Sequence, residues 1–217
     1  MIDLHTHTRL SDGEFTIAEH LRRAETAGYD FVAVTDHVDQ SNVESVVGKV
    51  IVGCDSFNKN STHMKALPGI EITHVHPSEI VHIVKYARSN GIKIVAVHGE
   101  TIVESVFPGT NHAAIMANVD FLGHPGIISE EDVLLAKERN VRLEITCRKG
   151  HALGNGRVFS LSKKYGTKLL LNSDTHAAND FYTEDRYRKT ALGAGLSEEE
   201  FIHLLEDIRE FVKSKIK

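Results

Sequence analysis

Residues 89–99 read SNGIKIVAVHG, and the way this stretch hands one pattern to the next decides the fold. An amphipathic segment closes on Asn90-Gly91, and a Val/Ile run follows at once and ends on His98. Gly and Asn tolerate the left-handed turn that ends a helix. The run is nearly continuous in apolar character rather than alternating, as strands of a parallel sheet covered on both faces should be. The same handover recurs as TAGYDFVAVTDH at 26–37, ERNVRLEITC at 138–147 and KYGTKLLLNSD at 164–174.

Working outward, strands are expected near Ile2–His5, Phe31–Thr35, Lys65–Ile72, Lys93–His98, Phe121–His124, Arg142–Thr146 and Lys168–Ser173. Helices are expected near Thr16–Ala27, Asn42–Lys59, Pro77–Ser89, Asn111–Ala117, Ser129–Arg139 and Arg157–Tyr165, with two more after Asp185. Pro77 ahead of Ser78-Glu79 marks a first helical turn, and Ser197 with Glu200 forms a capping box. Seven β→α units in succession argue for a closed or nearly closed parallel barrel in a single domain spanning 1–217. An open doubly wound sheet is the second choice.

Composition removes several classes. A net charge of −5 over 217 residues provides no basic coat for capturing nucleic acid. Two cysteines, Cys54 and Cys147, cannot build a disulfide scaffold and suit a reduced, cytoplasmic protein. The start has neither a basic nor an apolar leader segment, and no apolar run approaches membrane-spanning length. The 14 histidines stand out, equalling Phe and Tyr together.

Position gives those histidines meaning. His5, His37, His98, His124 and His176 each sit at or just past the carboxyl end of an expected strand, with His7 two beyond His5. In a parallel barrel these ends share one rim, where active sites lie. Asp12, Glu71 and Asp174 join them. His5/His7 and Asp174/His176 are i, i+2 pairs, which extended backbone turns to one face. Imidazole with carboxylate suits Zn, Mn or Fe. Nine candidate ligands exceed the four of one tetrahedral ion and imply two or three ions, an arrangement that usually serves hydrolysis at phosphorus. Asp36 is expected to orient His37. His20, His82, His112 and His203 are expected on helix surfaces, and His74 and His76 in a solvated loop; His63 suggests no role. Cys147 reads as a small core residue, and Glu144 as either a structural hydrogen bonder or a support for a ligand. The loop 148–157, RKGHALGNGR, has Arg148 just beyond the sixth strand, where its planar fork would suit phosphate. Lys149 and His151 are the next candidates there.

Together DLHTHT…SDG at 3–13, TDH at 35–37, PGIE at 68–71, VHG at 97–99, GHP at 123–125 and SDTH at 173–176 resemble the PHP family (polymerase and histidinol phosphatase). The resemblance runs in order to about residue 180. It implies a distorted (β/α)7 TIM-like barrel and three divalent ions of Zn, Mn or Fe. One would be held by His5, His7, Glu71 and Asp174. A second would be held by Glu71 as a bridge with His98 and His124, and a third by Asp12, His37 and His176. Some family members have His where this chain has Asp12, implying a weaker or exchangeable third ion. Glu71, His98 and Asp174 would stand at the reaction itself, with Arg148 on the substrate phosphate. The implied activity is phosphoester hydrolysis by water activated by the ions, on a small phosphorylated metabolite that is histidinol-phosphate-like or nucleotide-like. The alternative is a 3'-5' exonuclease or other nuclease acting on single-stranded ends. A non-catalytic metal scaffold is the third reading, disfavoured because a structural site closes with four ligands. No membrane partner is expected, nucleic acid is disfavoured, and the oligomeric state is open.

Overall fold

The left-handed turns expected at helix ends are present. Gly28, Gly91, Asn140 and Gly166 all have positive φ in the computed structural model, which describes residues 1–216. Each turn releases the chain into a parallel strand. The strands are β1 (Ile2–Asp3), β2 (Phe31–Val34), β3 (His37–Val38), β4 (Lys65–Ile72), β5 (Ile94–His98), β6 (Phe121–Gly123), β7 (Arg142–Thr146) and β8 (Leu169–Asn172). The helices are α1 (Ile17–Thr26), α2 (Val43–Asn60), α3 (Pro77–Ser89), α4 (Thr110–Met116), α5 (Glu130–Arg139), α6 (Asn155–Tyr165), α7 (Glu184–Ala194) and α8 (Glu198–Lys215). Pro77 opens α3, and Ser197 and Glu200 cap the start of α8 reciprocally.

The strands pair in the order β1-β2-β4-β5-β6-β7-β8, all parallel, with β3 alongside β4 above the end of β2. The Thr35 N–H donates to the Thr6 carbonyl (2.8 Å), so β2 stops one residue short of the expected Thr35, and the short β3, which was not expected, follows at His37. A parallel bridge between Thr6 and Thr175, with the His7 N–H donating to the Thr175 carbonyl (2.8 Å), brings the two ends of the sheet together. An open doubly wound sheet has no such contact between its edges. The chain is therefore a nearly closed, distorted TIM-like barrel of seven parallel strand positions, with helices outside.

Every residue of β5 and β7 is buried, as continuous apolar runs require of a sheet covered on both faces. Side chains such as Ile94, Leu143, Ile145 and Phe121 lose all exposure, each worth about 1.5–3 kcal/mol of transfer free energy. At the amino-terminal end of the barrel, α8 ties strand beginnings together. Its Asp207 pairs with Arg142 and Lys168, Arg209 with Asp30, and Lys215 with Asp120.

Three expectations need correction. His20, expected on a helix surface, is fully buried on α1 with its ring 5.0 Å from that of Phe181; the amphipathic face of α1 runs through it. The 148–157 loop is partly helical, because a 3-10 turn spans His151–Gly154 and α6 begins at Asn155 rather than Arg157. Asn155 anchors that start by bonding the Thr146 backbone on both sides. The first strand is shorter than expected, because the Leu4 N–H donates to the Asn172 side chain (2.9 Å) and leaves the ladder. No helix among the described residues is long and apolar enough to cross a membrane.

Candidate metal centre

All nine candidate ligands converge on the carboxyl rim. His5 and His7 follow β1, Asp12 lies in the next loop, His37 opens β3, and Glu71 lies within β4. His98 ends β5, His124 follows β6, and Asp174 and His176 follow β8. His5, His7, Glu71, His98, His124 and Asp174 are buried; His37 and His176 are half-buried; the Asp12 side chain is 56% exposed. His124 and Asp174 adopt positive φ (25° and 59°), a conformation uncommon outside Gly that costs of order 1 kcal/mol or more. Gly123 leaves room for two other candidate ligands: a Cβ there would fall 3.1 Å from His5 Cε1 and 3.2 Å from Glu71 Oε1.

Ring orientation follows from hydrogen bonding. A carbonyl or carboxylate oxygen beside Nδ1 requires Nδ1 to carry the proton of a neutral imidazole, leaving the lone pair on Nε2. His5 donates from Nδ1 to Glu144 (2.8 Å), His98 to the Gly99 carbonyl (3.1 Å) and His176 to the Asp174 carbonyl (2.9 Å). His37 Nδ1 meets Thr73 Oγ1 at 2.7 Å, and that hydroxyl donates onward to Glu71. Four Nε2 lone pairs are therefore left free for a ligand role.

In a neutral ring such an Nε2 has no hydrogen to share with the carboxylate oxygen beside it. His5 Nε2 is 3.1 Å from Glu71 Oε1, His7 Nε2 3.1 Å from Asp174 Oδ1, and His176 and His37 Nε2 3.2 and 3.5 Å from Asp12 Oδ1. Ligand atoms of one ion, each roughly 2.0–2.2 Å from it, lie about 3.0–3.5 Å apart. The spacings match that requirement. His5 Nε2, both ring nitrogens of His7, Glu71 Oε1 and His124 Nδ1 are buried with no hydrogen-bond partner among the described residues. Such atoms cost about 1–3 kcal/mol each unless something else satisfies them. The donor set fits divalent ions.

Three groups of donor atoms gather within 4.8 Å: His5, His7 and Glu71; His7, Asp12, His37 and His176; and His98, His124 and His151. A fourth group, His5, His124 and Glu144, is accounted for by hydrogen bonds, since Glu144 accepts from His5 Nδ1, the His124 N–H and Asn172. Glu71 is the hub. Its Oε1 lies 3.1 Å from His5 and 3.7 Å from His124, and its Oε2 2.8 Å from His37 and 3.8 Å from His7.

The charges are strongly coupled. Burial pushes the Glu71 and Asp174 pKa values up, but neighbouring imidazoles, His5 foremost, hold both well below the usual carboxylate range. Burial opposes protonation of His5, yet Glu144, Glu71 and Asp174 outweigh it and raise its pKa well above the ordinary value. His37 is raised to about 10 against burial, chiefly by Glu71 and Asp12. His7 is lowered to about 3 by burial and then by His37. Imidazolium thus neutralises carboxylate here, and divalent cations would displace those protons.

Supporting residues match some expected roles and depart from others. Asp36 makes its hydrogen bonds not to His37 but to Thr8 (2.7 and 2.8 Å) and Ser11 (2.8 Å), holding the loop that presents Asp12. Glu144 orients His5. Asp3, unremarked in the sequence, accepts from the His5 N–H, Ser173 and Tyr187, and burial pushes its pKa up to about 6. Arg148 lines the mouth and reaches Asp180 at 3.2 Å and Asp174 at 4.0 Å, whereas Lys149 is exposed and does not line it. His151 lines the mouth too, buried, with its ring 4.3 Å from that of His124. Glu104 was missed. It lies in a loop without periodicity, yet reaches His98, His151 and His74 at 3.1, 3.2 and 3.5 Å. His74 lines the mouth, while His76 caps α3 and His63, His82, His112 and His203 are exposed. Cys147 is buried, and burial pushes its thiol up to about 12. The mouth itself encloses about 230 Å³.

The PHP domain family matches residues 3–205. An uncharacterized protein of Methanocaldococcus jannaschii is 40% identical over 94% of each chain. A probable phosphatase of Clostridium novyi is 26% identical, covering 99% of this chain and 95% of its own length. Ribonuclease P protein component 3 of Methanosarcina acetivorans is also 26% identical, over 94% of this chain and 85% of its own.

Proposed function

The chain belongs to the PHP domain family, and from that premise we propose a metal-dependent phosphoester hydrolase acting on a small phosphorylated metabolite. The observation that carries the reading is Glu71, a fully buried carboxylate with both oxygens among four imidazole nitrogens. In this reading His5, His7, Asp12, His37, Glu71, His98, His124, Asp174 and His176 hold three divalent ions of Zn, Mn or Fe. When bound, such ions supply Lewis acidity and make water a nucleophile at neutral pH. Glu144, Asp3 and the Gly99 and Asp174 carbonyls keep imidazoles and carboxylates pre-aimed, so little reorganisation accompanies the reaction. Arg148 steadies the phosphate from the wall of the mouth, its guanidinium held by Asp180. Two buried, unpaired cysteines support a cytoplasmic setting.

The similarity to ribonuclease P protein component 3 favours a second reading, an RNA-directed role, and weakens the expectation against nucleic acid. The mouth supports it less. Among the described residues Arg148 is its one lining residue of fixed positive charge, and no Phe, Tyr or Trp lines it for base stacking. Exhaustive chelation should abolish hydrolysis of a p-nitrophenyl phosphate monoester, and returned Mn or Zn should restore it. Full turnover by verified metal-free protein contradicts the hydrolase reading. Preference for the bis(p-nitrophenyl) diester, with metal-dependent shortening of single-stranded RNA, would select the second reading.

A further inference from the structure

Glu104 comes from the segment between β5 and α4, whose Ile102, Val103 and Phe107 are about half exposed. The flanks of that segment are fixed. Thr101 is buried, and the Glu100 side chain accepts from the Gly109 and Asn111 N–H groups. Between these anchors the Glu104 side chain, 39% exposed, turns inward onto imidazoles, and none of its described partners is a backbone donor. His98 has its Nδ1 proton committed to the Gly99 carbonyl, so a neutral His98 shows a lone pair to Glu104 Oε2 at 3.1 Å. His151 is fixed by Nδ1 contact with Thr101 Oγ1 (2.9 Å), and its Nε2 lies 3.2 Å from Glu104 Oε1. Nε2 of His98, Nε2 of His151 and the Glu104 carboxylate at those separations have the spacing of ligands around one cation. His98, His124 and His151 offer ligand atoms within 4.8 Å of one another and line the mouth together with Glu104.

We propose that Glu104 and His151 complete the coordination of the ion held by His98 and His124, and that Glu104 is a loop-borne ligand which substrate phosphate displaces. The inference rests on the metal-centre reading above. A catalytic ion keeps a position for substrate, and a carboxylate oxygen there exchanges naturally for a phosphate oxygen, both being hard anionic donors. His151 is buried and tied to Thr101, so it stays when the carboxylate leaves. Glu104 alone among the suggested ligands of this ion sits on an exposed segment, which gives it somewhere to go.

The test is metal titration of the full chain by calorimetry and chelator competition, for wild type, Glu104→Gln and His151→Asn, each with and without inorganic phosphate. Both variants should bind one ion at least about 10-fold more weakly while the others hold. Phosphate should bind Glu104→Gln about 10-fold more tightly than metal-loaded wild type, because no ligand has to leave. Unchanged metal affinity in Glu104→Gln, an exposed-loop variant that leaves the barrel intact, overturns the inference and makes Glu104 a simple partner of imidazolium. Weakened metal binding with unchanged phosphate affinity overturns the displacement. Wild type that binds no divalent ion brings down the metal-centre reading itself, a separate result.

Discussion

The two ends of this barrel treat charge in opposite ways. At the amino-terminal end every described buried charge has a protein partner of the other sign. Asp120 takes Arg88 (2.5 Å), Lys215 and the Val95 N–H (2.7 Å), and Arg142 takes Asp207 while its guanidinium rests over Phe211. At the carboxyl end imidazoles crowd one another, with His7 rings 4.1 Å from His176 and 4.3 Å from His37, and buried polar atoms go unpartnered. One end holds the chain together, and the other leaves buried polar atoms without protein partners. That division follows from parallel strands, whose carboxyl ends feed variable loops into one mouth.

The contrast makes predictions about which end each residue serves. Glu71→Gln should do the most damage, removing charge from two ion positions at once. Elemental analysis should show more than one ion weakened, and turnover should fall roughly 10³-fold or more. Asp12→Ala should disturb mainly one ion, and equal metal losses in the two variants would contradict Glu71 as the hub. Arg148→Ala comes next, at about 3 kcal/mol or 10²-fold in kcat/KM on the best phosphate monoester, with metal content unchanged. Near-normal kcat/KM would return Arg148 to a bystander paired with Asp180, and lost metal would make its loop a support.

Asp120→Ala probes the other end. It strips Arg88, Lys215 and the Val95 N–H of their common partner and should lower unfolding free energy by about 2 kcal/mol in urea titrations. Activity and metal content at 25 °C should stay within twofold, and a selective loss of activity would break the division between the ends. The smallest effect concerns His20, whose pKa burial lowers from 6.5 to about 4. Because the folded state takes the proton less readily, its contribution is full above pH 6.5 and is lost as pH falls toward 4. Between pH 7 and 5.5 it should cost about 1 kcal/mol. His20→Leu should remove that part of the pH dependence, and an identical slope in both proteins would contradict it.

Much of this was legible because period and punctuation are local. The Asn90-Gly91 and Tyr165-Gly166 turns, the apolar runs they release and the barrel order they imply all follow from neighbours in the chain. So does the gathering of the nine candidate ligands, since residues at strand ends of a parallel barrel share a rim wherever the strands lie in sequence. His20 shows the limit of that logic. Its place on an amphipathic helix was clear, but whether a helix face containing His turns inward depends on what packs there, and here the Phe181 ring lies against it.

The sequence by itself determined the alternation, the strands, the rim and the residues that share it, because each depends on backbone chemistry and on spacing along a few residues. Tertiary structure alone decided which oxygen faces which nitrogen. Asp36 turned to Thr8 rather than His37, Glu144 to His5, and Glu104 to His98 and His151 across segments with no common period. Those choices depend on distances between atoms more than 25 residues apart or on loops whose path has no repeating signal. A chain read residue by residue carries no such distance until it closes on itself.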